Sequence, residues 1–233
     1  MQLPNKFTET AREFESKYGI NPLTADQGTS EWMASKLGVL SASNAKAILS
    51  GTDTATRATY MAELVAQVAT GIFPEVNAYA MAWGKDHEDA ARASYEFATG
   101  EKILPLGFVF KDGLFRVGAS ADGLVSAKKG FEIKCPFNSK NYIEFLCENK
   151  VKPEWKQQVN MGMWVTGLEV WDFAQYDPRM KSKPFHSITI ERDEKLIKQF
   201  DDAVPQFIAD MDKMLEKVGV KFGDQWLRLK AAA

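Results

Sequence analysis

The chain has 233 residues, 45% of them hydrophobic, which is enough to bury a full core, and one domain over residues 1–230 is the simplest count. Its formal net charge of −2 lacks the basic surplus that phosphate binding normally shows, so a polyanion would have to meet local clusters such as Lys128 with Lys129, Lys150 with Lys152 and Lys156, or Arg179 with Lys181 and Lys183. No apolar run approaches membrane-spanning length and the polar start lacks a signal-peptide core, which points to a cytoplasmic protein with no membrane partner; the two cysteines, Cys135 and Cys147, suit a reducing compartment without a disulfide.

In chain order, the spacing predicts an amphipathic helix over residues 7–18 and then a polar loop. Ser41-Ala42-Ser43-Asn44 is expected to cap a helix ending near residue 49, with Ser43 available as an ordinary capping hydroxyl. A helix over residues 57–70 should stop at Gly71. Asn77 should cap another over residues 78–99, which Gly100 closes. Strands are expected over residues 104–110, 114–119, 124–126 and 130–134, followed by helices over 139–148 and 153–166. Strands over 169–176 and 185–191 and a long helix over 194–218 complete the chain, and the three alanines 231–233 read as a scar outside the domain. Helices around a central mixed β-sheet give an α/β layer fold.

The segment Lys129-Gly130-Phe131-Glu132-Ile133-Lys134-Cys135-Pro136 carries the chemistry. Alternation puts Phe131, Ile133 and Cys135 on one strand face and Glu132 and Lys134 on the other, so a carboxylate and an ammonium point the same way. The strand over residues 114–121 runs into Asp122 and the turn residue Gly123; pairing it with the 130–134 strand would bring Asp122 beside Glu132. Two carboxylates without a cysteine or histidine cluster make a hard oxygen site for Mg²⁺ or Mn²⁺ rather than zinc. That is the minimal set of a metal-dependent phosphodiesterase, with Lys134 positioning the attacking water. Taken alone, the pattern fits a half-exposed strand with a Glu/Lys pair on its wet face better than a site, since short motifs match by chance.

Three further positions stand out. Glu88 shares a helical stripe with Gly84, Ala91 and Tyr95, where a carboxylate needs a partner, although beside Lys85 and Arg92 it also reads as a surface acid. His87, one position off that stripe, is expected to be a surface or packing histidine. Cys135, on the apolar strand face, is expected to be an inert core thiol.

The strings Gly38-Val39-Leu40-Ser41-Ala42-Ser43, Ala82-Trp83-Gly84-Lys85, Ser120-Ala121-Asp122-Gly123-Leu124, Glu132-Ile133-Lys134-Cys135-Pro136-Phe137, Met163-Trp164-Val165-Thr166 and Tyr176-Asp177-Pro178-Arg179-Met180-Lys181 recur in one order between Trp32 and Trp226. In them the chain resembles the phage lambda exonuclease and YqaJ-type alkaline exonuclease family, within the PD-(D/E)xK nucleases. The resemblance implies a restriction-endonuclease-like core and a Mg²⁺-dependent 5′→3′ exonuclease that leaves 3′ overhangs on linear double-stranded DNA for recombination by strand annealing. It implies a catalytic set of Asp122, Glu132, Lys134, Glu88 and, by the register of Met163-Trp164, Gln158 rather than Gln157. The metal would be held by Asp122, Glu132 and the Ile133 backbone carbonyl, the 5′-phosphate by Lys36, Ser43 and Ser120, and Met81 would be the wedge that parts the terminal base pair. Lys36 stands where the family has an arginine, offering a point charge in place of a fork, and Ala121 replaces the usual proline before the metal aspartate. Implied partners are DNA ends, two further copies in a homotrimeric ring, and a single-strand annealing protein, in a bacterial host cell. A restriction- or repair-type endonuclease, and a DNA-end-binding recombination module with weak catalysis, are the alternative readings.

Overall fold

The computed structural model describes residues 3–74 and 79–232. Helix α1 (Asn5–Tyr18) buries Phe7, Ala11 and Phe14 on one face and ends at Gly19. A short helix α2 (Ser30–Ser35), which periodicity does not reveal, is started by the Thr29 side chain accepting the Trp32 N–H. After strand β1 (Leu40–Ser41), a 3₁₀ turn over Ala42–Asn44 leads into the single turn α3 (Ala45–Ile48). The expected cap is absent there: Ser43 Oγ bonds Ser41 Oγ at 3.1 Å instead of a helix N–H, because the 3₁₀ turn has already tightened the entry. Helices α4 (Ala55–Thr70) and α5 (Tyr79–Thr99) follow. Gly71 takes the left-handed conformation at φ 71° that closes α4, while Asn77 lies outside the described residues.

The mixed β-sheet flanked by helices that the sequence predicts is present, its strands divided between two ladders. The first has the order β1-β3-β2, with β3 (Val117–Ala119) parallel to β1 and antiparallel to β2 (Val109–Phe110). In the second, of order β4-β5-β6-β7, β5 (Lys129–Lys134) and β6 (Val170–Tyr176) are parallel, while β4 (Gly123–Leu124) and β7 (Phe185–Glu191) pair antiparallel at the two edges. The expected pairing of the strand before Asp122 with β5 is therefore corrected. Beyond Ala119 the chain leaves the first ladder, and the Asp122 N–H donates to the Phe131 carbonyl at 3.1 Å, so β4 is the neighbour of β5.

Parallel β5 and β6 need a crossover, which α6 (Ser139–Glu148) and α7 (Pro153–Thr166) supply. Helix α8 (Glu194–Lys217), capped by Asp193, packs Phe200, Val204 and Phe207 beneath α4 and α7, and α9 (Asp224–Ala232), also unforeseen, seats Trp226 among Phe14, Phe110 and Phe115. Among the described residues no helix is long and apolar enough to cross a membrane.

Trp171 of β6 fixes how α7 sits on the sheet. A Cβ at Gly130 of β5 would lie 2.5 Å from its Cε3, and one at Gly162 of α7 would lie 2.9 Å from its Cη2. The indole thus fills the space two missing side chains leave. A crossover helix runs antiparallel to its strands. One turn back along α7 from Gly162 is Gln158, about 6 Å away at 1.5 Å per residue. Two residues forward along β5 from Gly130 is Glu132, about 6.6 Å away. The two offsets match, and they set Gln158 over Glu132.

Candidate active site

At the end of β5, Asp122 is locked in place by its own backbone pairing and by the Ile133 N–H, which donates to Asp122 Oδ2 at 2.7 Å. Because a strand residue turns its N–H and C=O to the same edge, the Ile133 carbonyl also faces the Asp122 side. The loop before α2 braces this corner: Gln27 Nε2 donates to the Leu106 carbonyl at 3.0 Å and to the Ala121 carbonyl at 2.8 Å. Glu132 is only 4% exposed, so the wet-face reading of the strand does not hold. Its Oε1 accepts from Lys134 Nζ and from Gln158 Nε2, each at 2.5 Å. The structure thereby selects Gln158 over Gln157 as the glutamine that meets Glu132.

An open cleft of about 720 Å³ exposes this corner and is lined among others by Asp122, Ile133, Lys134, Glu88, Lys85 and Trp32. Glu88 projects into it from α5, with Ala91 and Tyr95 of the same stripe fully buried beneath, and is ion-paired to Arg92 one turn on. His87 stacks on Trp83 at 3.9 Å between ring centroids and bonds the Trp83 carbonyl through Nδ1, a packing role as expected.

Burial, then the charge of Glu132, raise the Asp122 carboxyl well above the usual carboxylate range; Lys134 opposes the rise and Glu88 adds to it. Burial pulls the Lys134 ammonium down, but Glu132 and Asp122 outweigh it and its pKa ends above the usual lysine value. Burial pushes the Cys135 thiol up to about 12, which keeps it protonated and unsuited to ligation. Among the described residues no group of three or more His, Cys, Asp or Glu side chains gathers into a metal cage. The oxygens that could hold a hard cation are those of Asp122, Glu132 and the Ile133 carbonyl.

Of the three residues expected to form an anion pocket, two are joined through a residue sequence reasoning missed. Lys36 Nζ sits 3.8 Å from the centroid of the Trp32 ring, while Trp32 Nε1 donates to Ser120 Oγ at 3.1 Å. Burial lowers the Lys36 pKa to about 8, and no described carboxylate pairs with it. Ser43 is exposed and bonds Ser41 and Asn44 rather than either partner. It leaves β1 two residues after Ser41, whose parallel partner Gly118 stands two residues before Ser120. Met81 falls in the first turn of α5, and its side chain lies outside those described. Two candidate basic clusters are partly spent on internal pairs. Lys129 bonds Glu101 and Asp172, and Arg179 is held by Asp177 while donating to the Pro136 and Phe137 carbonyls and lying over Trp83.

Comparison with known proteins places the chain among nucleases and recombination proteins. The sequence model described as YqaJ-like viral recombinase domain matches residues 31–169. The Escherichia coli (strain K12) protein ExoD is 47% identical over 76 residues, which is 33% of this chain and 87% of that protein. The crystal structure of an alkaline exonuclease from Laribacter hongkongensis, also solved in complex with dAMP, is 36% identical and superposes with a TM-score of 0.75 over 88% of this chain and 98% of that one. A phage related exonuclease from Haemophilus somnus 129PT, 12% identical with a TM-score of 0.62 over 78% of this chain and 96% of its own, shares the fold.

Proposed function

The chain belongs to the family of YqaJ-like viral recombinase domains, and from that premise we propose that it is a Mg²⁺-dependent 5′→3′ exonuclease, one nuclease domain that digests one strand of linear duplex DNA and leaves 3′ overhangs. The observation that carries the reading is Glu132, buried on β5 beside Asp122 and held by both Lys134 and Gln158. The donor set suits a hard divalent cation: two carboxylates and a carbonyl, leaving room for the waters Mg²⁺ retains, with Mn²⁺ able to substitute. The Asp122 carboxyl is raised first by burial and then by the charges of Glu132 and Glu88, which Lys134 opposes, and a divalent cation would relieve that repulsion. When bound, Mg²⁺ supplies Lewis-acid polarisation of a phosphate oxygen.

Among the described residues Lys134 brings the one ammonium that touches this group of carboxylates, placed to orient a water or a phosphate oxygen, and Gln158 can hold either without adding charge. Glu88 closes the acidic side of the cleft. The pairing of Lys36 and Ser120 through Trp32 supports a seat for a terminal 5′-phosphate, and so the direction of digestion. The dAMP complex of the Laribacter relative supports a nucleoside monophosphate as the released unit. A homotrimeric ring around the duplex would reconcile tight tracking with a net charge of −2, and the 3′ overhangs would pass to a single-strand annealing protein.

Linear duplex labelled at one 5′ or one 3′ end, beside a covalently closed circle, tests the proposal with and without Mg²⁺. Early release of labelled mononucleotide from the 5′ end alone, only with Mg²⁺ or Mn²⁺, and an intact circle are the expected results. A cut circle would establish the endonuclease alternative, and end binding without release in any metal the weakly catalytic module. Solution mass separates a trimer from other assemblies.

A further inference from the structure

Gln175 of β6 is fully buried, yet neither its Oε1 nor its Nε2 has a hydrogen-bond partner among the described residues. A buried amide left unpaired costs about 1–3 kcal/mol, so its place in the fold asks for an explanation. Buried N–H donors of Trp83, Arg92, Arg116 and Trp171 are also unpartnered, but among the described residues Gln175 alone leaves a buried acceptor side-chain oxygen so.

Its position is informative. In the parallel ladder Gln175 stands directly beside Lys134, and Phe173 beside Glu132, so the four side chains share the sheet face that α7 covers, roughly 4.8 Å from strand to strand. Phe173 confirms the face by stacking on Trp155 of α7 at 5.4 Å. Glu132 Oε1 is now the acceptor for Lys134, and Gln158 donates to the same oxygen. A divalent cation drawing on the Glu132 carboxylate would compete with the Lys134 ammonium for that oxygen, and the displaced ammonium would need an uncharged acceptor within the reach of its stem.

We infer that Gln175 is a positioning residue for Lys134: its Oε1 takes over the ammonium when Glu132 turns to a metal, keeping Lys134 at the site while removing it from competition with the cation. The inference rests on the metal reading of Asp122 and Glu132. A group that orients a ligand in this way typically changes metal affinity about 10–100-fold when removed.

The test is a double-mutant cycle on Mg²⁺ affinity, measured by calorimetry on the full chain without DNA, using Gln175→Leu, Lys134→Met and the pair. Gln175→Leu should weaken Mg²⁺ about tenfold when Lys134 is present and change nothing when it is methionine. Equal weakening in both backgrounds, or none in either, overturns the inference. Gln175→Met serves as a second variant of different shape. Neither should lower the melting temperature, since an apolar side chain replaces an amide that bonds nothing; a fall in both would show that the amide has a structural partner elsewhere and overturn the role proposed for it. If the unmodified protein binds no Mg²⁺, the metal reading falls and this inference with it, an outcome separable from a flat cycle on a protein that does bind.

Discussion

Strand β5 carries a lysine at each end, and the two lysines sit among carboxylates of opposite standing. At the start of the strand, Lys129 Nζ lies 2.6 Å from Glu101 and 3.0 Å from Asp172, whose oxygens also accept from Tyr95 at 2.5 Å and Thr189 at 2.7 Å. Burial first, then the bonds to Asp172 and Glu101, push the Tyr95 hydroxyl far above its usual pKa, so it stays a donor. Asp172 is 5% exposed and every oxygen it has is answered from within the chain. At the far end, Lys134 faces Glu132, Asp122 and Glu88 together, and the cleft opens on them. Burial of a carboxylate is therefore no mark of a site by itself. What separates the two ends is whether the chain's own donors close the network or leave it short of positive charge beside open solvent.

The sharpest way to break the comparison is to delete a carboxylate at each end. Asp122→Ala or Glu132→Ala should reduce DNA hydrolysis at least about 10³-fold, the scale of several kcal/mol of lost charge stabilisation, while the melting temperature holds or rises as like charges part. Hydrolysis within tenfold of the unmodified protein in either variant would remove the metal assignment. Asp172→Ala should do the reverse. Leaving Lys129 and Tyr95 without their shared acceptor should cost about 3–5 kcal/mol in urea unfolding, with turnover per folded molecule retained. Turnover collapsing in a folded Asp172→Ala protein would show that the two ends act as one site.

The smallest effect concerns Lys36. Its half-buried ammonium, with a pKa lowered to about 8, is charged below that pH and loses its proton above it. Preference for 5′-phosphate over 5′-hydroxyl ends, read as a ratio of kcat/KM at constant salt, should therefore be greatest near neutral pH and fall as pH rises through about 8, since kcat/KM reports the free enzyme. One charge-assisted bond makes the preference roughly tenfold. Lys36→Arg should carry it unchanged into the alkaline range and Lys36→Ala should erase it throughout; a ratio flat with pH in the unmodified protein would dissociate Lys36 from the 5′ end.

Local signals were readable and long-range ones were not. The alternation of Phe131-Glu132-Ile133-Lys134, the glycine ends of α4 and α5, and the stripe joining Glu88 to Tyr95 depend on neighbours within a few residues, and the structure keeps all of them. Asp122 reaches Glu132 as expected but by way of β4, because one residue of backbone pairing decides which ladder the chain joins. Trp32 gives no such signal: its contacts with Lys36 and Ser120 span 4 and 88 positions, and the six-residue helix that carries it is too short to show a period. Gln175 reads as one residue of an ordinary strand until the parallel register sets it against Lys134.

The seat of Trp171 between Gly130 and Gly162 has a consequence for length rather than composition. Helix residues advance by about 100° each, so inserting or deleting one residue between Gln158 and Gly162 would keep α7 helical and its glycine seated while swinging the amide a quarter-turn or more away from Glu132. Over those five positions α7 can vary in side-chain chemistry wherever the core allows, but it cannot vary in count. Homologous chains that keep Glu132 and Gln158 in contact should show no gaps there, whatever else they exchange.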